Sequence, residues 1–397
     1  MRICVIGPSK LFFSGLTAHT IFLANALTTG NDVSVILLRK LLPRFLYPGR
    51  NHVGLKSDLI DFVPGINVFE GMDWYSPRSW GRSCRFQDRQ KPEVIIMLWW
   101  SSSIAHMQLL LAIANRYKTK AKLILEMHEV VDPLEERILP IRLYSKLMGR
   151  ILMRYVDAVS VHSMAVKQEV IERYKLSEEN VFVVPFGVYE AYNQPRDKSL
   201  TKNEHGIDEE FVILHFGSIR KYKGVSHLVD AFSQLPESVV GNSRLLIVGE
   251  DWGEEGTIES LAGSSAYPDK ITVNSCFVPD DKISEYFTVA DVVVLPYLRT
   301  SGSGVAHIAM AHGKPIITSD LQTMRECLNG YEGAMFTPVG DSAMIGRRIL
   351  EVYEKHSQGQ VVTFDAPNNT WQELVQSYGD IVGQLEMAQN ISENRFA

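Results

Sequence analysis

The stretch from Val292 to Ile317 constrains this chain more than any other. Val292 to Leu295 is a short apolar run, as a strand buried on both faces would be, and Pro296 stops it. A loop of small residues follows, running through Arg299, Thr300, Ser301, Gly302, Ser303, Gly304 and Val305. The spacing predicts a helix from near Gly304 to near Gly313, after which Pro315-Ile316-Ile317 opens another strand. Strand, Gly/Ser loop and helix start make an anion-binding arrangement, because the first N–H groups of a helix have no internal partner and its dipole is positive there. An ordinary βα turn with convenient glycines would read the same way.

The same grammar runs through the rest of the chain. Ile3 to Gly7 is a strand, a helical period from Ala18 to Leu27 follows Gly15, and Val33 to Leu38 is the next strand. The spacing is not GxGxxG, so a dinucleotide fingerprint is absent. Gly15 lies either against a ligand or in the packing. Glu93 to Leu98 and Leu123 to Leu125 are further strands, and His128 and Glu129 follow the second of them. Ligands of open α/β sheets bind at that end of the strands. In the second half, Phe211 to Gly217 is a strand. The loop Ser218-Ile219-Arg220-Lys221-Tyr222-Lys223-Gly224 is cationic, and residues 225–235 are helical. Residues 189–210 are polar, without periodicity, and read as an interdomain linker. A chain of 397 residues with this pattern is expected to form two α/β domains. They are 1–188 and 189–370, with a last helix in about 371–397 returning to the first.

Other classes are excluded by simple features. The net charge of −6 does not suit a nucleic-acid binder. The four cysteines form no CxxC pair, which points to a reducing cytosol and to no zinc site. No apolar run approaches a membrane span, and the N-terminus lacks a signal-peptide layout. Asp280-Asp281 resembles a metal-binding acid pair but reads as a solvated turn. Two basic elements stand out, residues 39–56 and residues 142–154, the latter with Arg142, Lys146, Arg150 and Arg154 on one stripe. They are either ordinary solvated surface or elements attracted to an anionic membrane. The expected location is therefore the cytoplasm, with a peripheral position on the inner membrane face as the variant.

Two loops of the second half follow strand ends: the Arg220/Lys223 loop and the Thr300–Val305 loop. One offers two cations and the other backbone N–H groups, so together they suit a diphosphate.

These pieces, in this order, resemble the GT-B glycosyltransferases, specifically the retaining family 4 type (glycosyl transferases group 1). The matching residues include Gly15 with its helix, Glu126-Met127-His128-Glu129, Val183 to Val188, Phe216 to Gly224, Leu246 to Gly249, Phe277-Val278-Pro279, Ala290 to Tyr297, Ala309-Met310-Ala311 and Gly313-Lys314-Pro315. The resemblance implies two Rossmann-like domains facing across a cleft, the first on the acceptor side and the second binding the donor. It implies transfer of a sugar from a UDP- or GDP-linked donor to a glycan or lipid-linked acceptor, with retention and without a metal or other cofactor. In it, Lys223 neutralises the leaving diphosphate. Ser218 stands where the family has arginine after Gly217, and Arg220 replaces that charge. The backbone at Val278 lies against the base, and His128 beside the donor sugar. The sequence departs from the family at Thr300 and Ile308, which replace two glutamates. The hydroxyls of Thr300, Ser301 and Ser303 would take over part of the sugar contact. The missing glutamates also motivate an alternative, a degenerate subunit that binds or stabilises an active partner.

Overall fold

The computed structural model describes residues 1–12, 14–40, 59–130, 139–251, 257–360, 363–367 and 371–394. The chain divides into two compact units, Met1–Gly187 with Asn369–Ala397, and Val188–Asn368.

The first unit holds a seven-stranded parallel sheet: β1 (Arg2–Pro8), β2 (Asp32–Lys40), β3 (Asn67–Asp73), β4 (Val94–Trp99), β5 (Lys122–Met127), β6 (Ala158–Val161) and β7 (Val181–Val183), in the spatial order β3-β2-β1-β4-β5-β6-β7. The central strands are mostly apolar because both faces are covered, as in β4, which is buried along its whole length. In β1, Cys4 and Ile6 join one buried cluster, while Ile3 and Val5 join another. Helix α1 (Gly15–Leu27) is capped by the Ser14 hydroxyl, which accepts from the Thr17 N–H. Helix α2 (Leu139–Leu152) turns Ser145, Gly149 and Leu152 inward.

The second unit holds a six-stranded parallel sheet: β8 (Phe211–Phe216), β9 (Ser243–Val248), β10 (Ile271–Asn274), β11 (Val292–Leu295), β12 (Ile316–Ser319) and β13 (Ala334–Thr337), ordered β10-β9-β8-β11-β12-β13. Helix α3 (Val225–Ser233) follows β8, and helix α4 (Gly304–Ala311) follows β11. In each sheet the strand order reverses next to the first strand of the unit, at β1/β4 and at β8/β11. This doubly wound order places a crevice at the carboxyl ends of those strands.

Helix α5 (Trp371–Asn394) packs on the first unit, burying Leu374, Tyr378, Ile381 and Val382 beside Ile3, Val5, Leu23 and Leu27. Trp371 lies over Gly187, where a Cβ would come within 2.6 Å of its ring.

Two expectations are corrected. The segment after residue 188 is not a bare linker: Tyr189 and Tyr192 are buried, and helix Lys198–Glu204 follows. Its polar letters concealed two aromatic anchors, and Asn193 donates to the Ala311 carbonyl. Asp280-Asp281 is not a solvated turn. Both lie in the first turn of helix Asp280–Val289, where acids suit the dipole, and Asp280 is buried. In α2, Leu143 and Leu147 are exposed beside Arg142, Lys146 and Arg150, because the small Ser145 and Gly149 take the inner face. A Cβ at Gly149 would meet Tyr174 at 2.9 Å, so the close approach explains that choice. Of the basic stretch 39–56, residues 41–56 lie outside the described residues.

Candidate active site

The second unit brings two loops together at its β8/β11 crevice. Gly217 follows β8 with a φ of 114°, a conformation that favours glycine, and a Cβ there would lie 3.3 Å from the Val305 side chain. The cation loop then leaves the sheet through Ser218 and the buried Ile219, whose N–H donates to the Glu250 carbonyl. Its last residue, Gly224, has a φ of 66° and lies against Pro296. The Leu298 N–H donates to the Tyr222 carbonyl at 2.8 Å. Thus backbone packing, rather than side-chain charge, joins the loop after β8 to the loop after β11.

Aromatic rings hold the cations in place. The Lys223 ammonium sits 3.8 Å from the centre of the buried Tyr297 ring and 5.4 Å from that of Tyr222. Arg220 and Arg299 approach the same Tyr222 ring at 5.9 and 5.4 Å. Arg299 is a third cation that charge patterning did not single out, although it stands in the loop itself. Burial raises the Tyr297 phenol above its usual range, so it stays neutral and shares a hydrogen bond with the Ser303 hydroxyl.

The loop's polar residues divide. Ser303 is buried and caps α4 by accepting from the Ala306 N–H, so its hydroxyl is already committed. Thr300 makes hydrogen bonds with both backbone groups of Gly302. Ser301, Gly304 and Val305 are half-buried, and Gly302 is exposed. Ile308 faces the core. Val278 is also buried, immediately before the helix that Pro279 opens.

His128 belongs to the first unit and to a group that the sequence did not bring together. Glu126 and His128 point the same way from the end of β5, as the period of two requires. His19 comes from α1 and His162 follows β6. The Nε2 atoms of His19, His128 and His162 lie 2.6, 3.2 and 3.2 Å from Glu126 Oε1. Tyr378 of α5 donates to Glu126 Oε2 at 2.6 Å. Burial pushes the His128 imidazole down to about 3, so it is neutral. Gly15 lies at the start of α1, where a Cβ would meet nothing within 4 Å. Packing therefore does not require a glycine there.

Residues 13–191 match the family model "Glycosyltransferase Family 4", and residues 197–361 match "Glycosyl transferases group 1". The chain is 28% identical over 156 residues to the lipopolysaccharide glucosyltransferase WaaG of Escherichia coli (37% of this chain, 40% of that protein). It is 26% identical over 197 residues to N-acetyl-alpha-D-glucosaminyl L-malate synthase of Bacillus anthracis (49% of this chain, 50% of that one). The chain thus spans half or less of the length of these two curated relatives. Among solved structures, sucrose-phosphate synthase of Thermosynechococcus elongatus superposes with a TM-score of 0.71 at 18% identity, covering 98% of this chain and 99% of that one. Anabaena Alr3699/HepE in complex with UDP gives 0.65 at 18% identity, covering 99% and 100%. The fold is that of the GT-B proteins, with two Rossmann-like units.

Proposed function

From a chain of GT-B fold, related over both units to the group 1 and family 4 glycosyltransferases, we propose a glycosyltransferase. It moves a sugar from a nucleoside-diphosphate donor to an acceptor. One observation carries this reading: the cation loop and the start of α4 meet at the β8/β11 crevice. The difficult event is cleavage of the anomeric C–O bond, in which negative charge builds on the departing diphosphate. Arg220, Lys223 and the N–H groups at Gly304 and Val305 are the stabilising groups, held in position before the reaction starts. Gly217 and Ser218 let the backbone approach the phosphates. Ser301 and Thr300 contact the sugar, while the Ser303 hydroxyl serves the loop as its cap. The Val278 backbone lies against the base. Since Ile308 is in the core, the ribose is held by other groups. In this reading His128 and Gly15 of the first unit serve the donor sugar. Transfer proceeds with retention, the leaving phosphate accepting the acceptor's proton on the same face, and charge neutralisation by side chains replaces a metal.

The acceptor is a glycan or lipid-linked precursor at an anionic membrane surface. Leu139, Leu143 and Leu147 are each about 60% exposed on α2, beside Arg142, Lys146 and Arg150. Exposed leucines along a basic helix suit the lipid headgroup boundary. No described helix is long and apolar enough to cross a membrane.

The test is a panel of UDP- and GDP-linked sugars. A donor should raise the melting temperature by mass action, and nucleoside diphosphate should be released with it. A second reading, a degenerate subunit that stabilises an active partner, draws on Thr300 and Ile308. Donor binding without any release, alone or with candidate acceptors, would favour it.

A further inference from the structure

We propose that His19, Glu126, His128 and His162 form a four-coordinate site for a divalent transition cation of the zinc class. It would serve as a structural clamp in the first unit. The inference does not rest on the proposed function.

The ligating atoms come from α1, the end of β5 and the end of β6, and all lie within 4.8 Å of one another. His19 and Glu126 have fully buried side chains, and His128 and His162 are 11% and 9% exposed. A buried carboxylate needs a compensating charge. The polar partners of Glu126 are these three imidazoles and the Tyr378 hydroxyl.

Hydrogen bonding explains the 2.6 Å contact of His19 Nε2 with Glu126 Oε1 but not the other two imidazoles. His162 Nδ1 is 3.1 Å from the Val184 carbonyl oxygen, which can only accept, so Nδ1 carries hydrogen. In a neutral ring His162 Nε2 is then a lone pair. It nevertheless sits 3.2 Å from Glu126 Oε1, lone pair against lone pair. Something positive must lie between them: a second proton or a metal ion. A proton would need Nε2–H aligned on Oε1. Neither His162 Nε2 nor His128 Nε2 is aligned as a hydrogen bond. A central cation needs no such alignment, only convergence.

The ring spacing suits one, with the His19 Nε2–Glu126 Oε1 contact of 2.6 Å opening to about 3.3 Å on metal binding. With metal–nitrogen bonds of about 2.0–2.1 Å in tetrahedral geometry, pairs of coordinating rings have centres about 5 Å apart. The three ring-centre separations are 4.6, 4.9 and 5.8 Å. The outer contacts are also those of a metal site: Tyr378 fixes Glu126 through Oε2, and the Val184 carbonyl fixes the tautomer of His162. Three imidazoles and one carboxylate select zinc, cobalt or nickel over magnesium or calcium. The cysteine pattern could not reveal such a site, since no thiol takes part.

The clamp would tie α1, two strand ends and, through Tyr378, α5. The test uses the full chain, stripped with a chelator and reloaded with Zn²⁺ or Co²⁺. One equivalent should remain after gel filtration, zinc should raise the melting temperature, and the cobalt form should show the intense visible bands of a tetrahedral N/O set. His162→Gln and His19→Gln should retain less than a tenth of that metal. Because either could unfold the chain, the wild-type cobalt spectrum stands as an independent readout. A folded wild-type chain that keeps neither ion overturns the proposal. So does ¹⁵N NMR showing His162 protonated on both ring nitrogens when zinc is present in excess.

Discussion

Gly224 meets Pro296 so closely that a Cβ on the glycine would lie 2.0 Å from the proline carbonyl oxygen. This contact joins the loop after β8 to the loop after β11, and the φ of 66° at Gly224 makes the glycine doubly necessary. Gly224→Ala should destabilise the chain by at least about 2 kcal/mol, from the strained φ and the overlap together. For a unit of this size, that lowers its melting temperature by about 4–8 °C. Calorimetry of the full chain checks this. An unchanged melting profile would mean that the two loops are not locked together.

Lys223 lies over Tyr297 at the end of the same loop. Lys223→Ala should lower turnover by about 10²–10³-fold, the usual consequence of losing one group that stabilises developing charge. Arg220→Ala should act in the same direction. Melting temperatures should hardly move, because neither side chain is in the core. Initial rates of nucleoside diphosphate release at saturating donor measure the effect, and normal turnover in Lys223→Ala would refute the assignment.

Acid should loosen the second unit. Burial pushes both His215 and His312 down to about 4. For His215 the Val294 carbonyl opposes the shift and the Lys223 charge adds to it. The folded state therefore binds fewer protons than the unfolded chain between about pH 6.5 and 4. Stability is complete above pH 6.5 and is lost as the pH falls through that window, by up to about 3 kcal/mol for fully buried His215. Urea unfolding at pH 7.5 and at pH 4.5 should show the loss. His215→Asn keeps a donor near Val294 and should flatten the pH dependence.

Helix α2 supplies a test of the membrane reading. Near an anionic surface each basic residue contributes about 1 kcal/mol. Replacing Arg142, Lys146 and Arg150 with glutamine should therefore weaken binding to phosphatidylglycerol-containing vesicles by about a hundredfold at low salt. Leu143→Ser with Leu147→Ser should weaken it further without altering the salt dependence. Cosedimentation is the measurement. Indifference of the wild-type chain to such vesicles would remove the membrane from the proposal.

The fold was legible because strand burial writes itself into sequence. Val292 to Leu295 and Phe211 to Phe216 are covered on both faces, so every position but His215 is apolar and the run is conspicuous. The turns between strands and helices were marked by Gly217, Gly224, Gly313 and Pro296 for conformational reasons. The segment near Tyr189 was misread because two buried aromatics in a polar stretch carry no period. Which face of α2 is inside stayed open in the sequence, because periodicity gives a helix two faces without saying which is inside.

What the sequence determined by itself is therefore local. It specified alternating strands and helices, two successive α/β halves, and the cation loop and Gly/Ser loop as candidates for phosphate. Each depends on residues close together in the chain. Tertiary structure decided which loops meet, since only the strand order places β8 beside β11. It also gathered His19, Glu126, His128, His162 and Tyr378 from α1, two strand ends and α5 around one buried carboxylate. Residues 107 and 252 positions apart share hydrogen bonds there. Such separations leave no pattern in a single sequence, because contacts of this kind exist only after the sheet has formed.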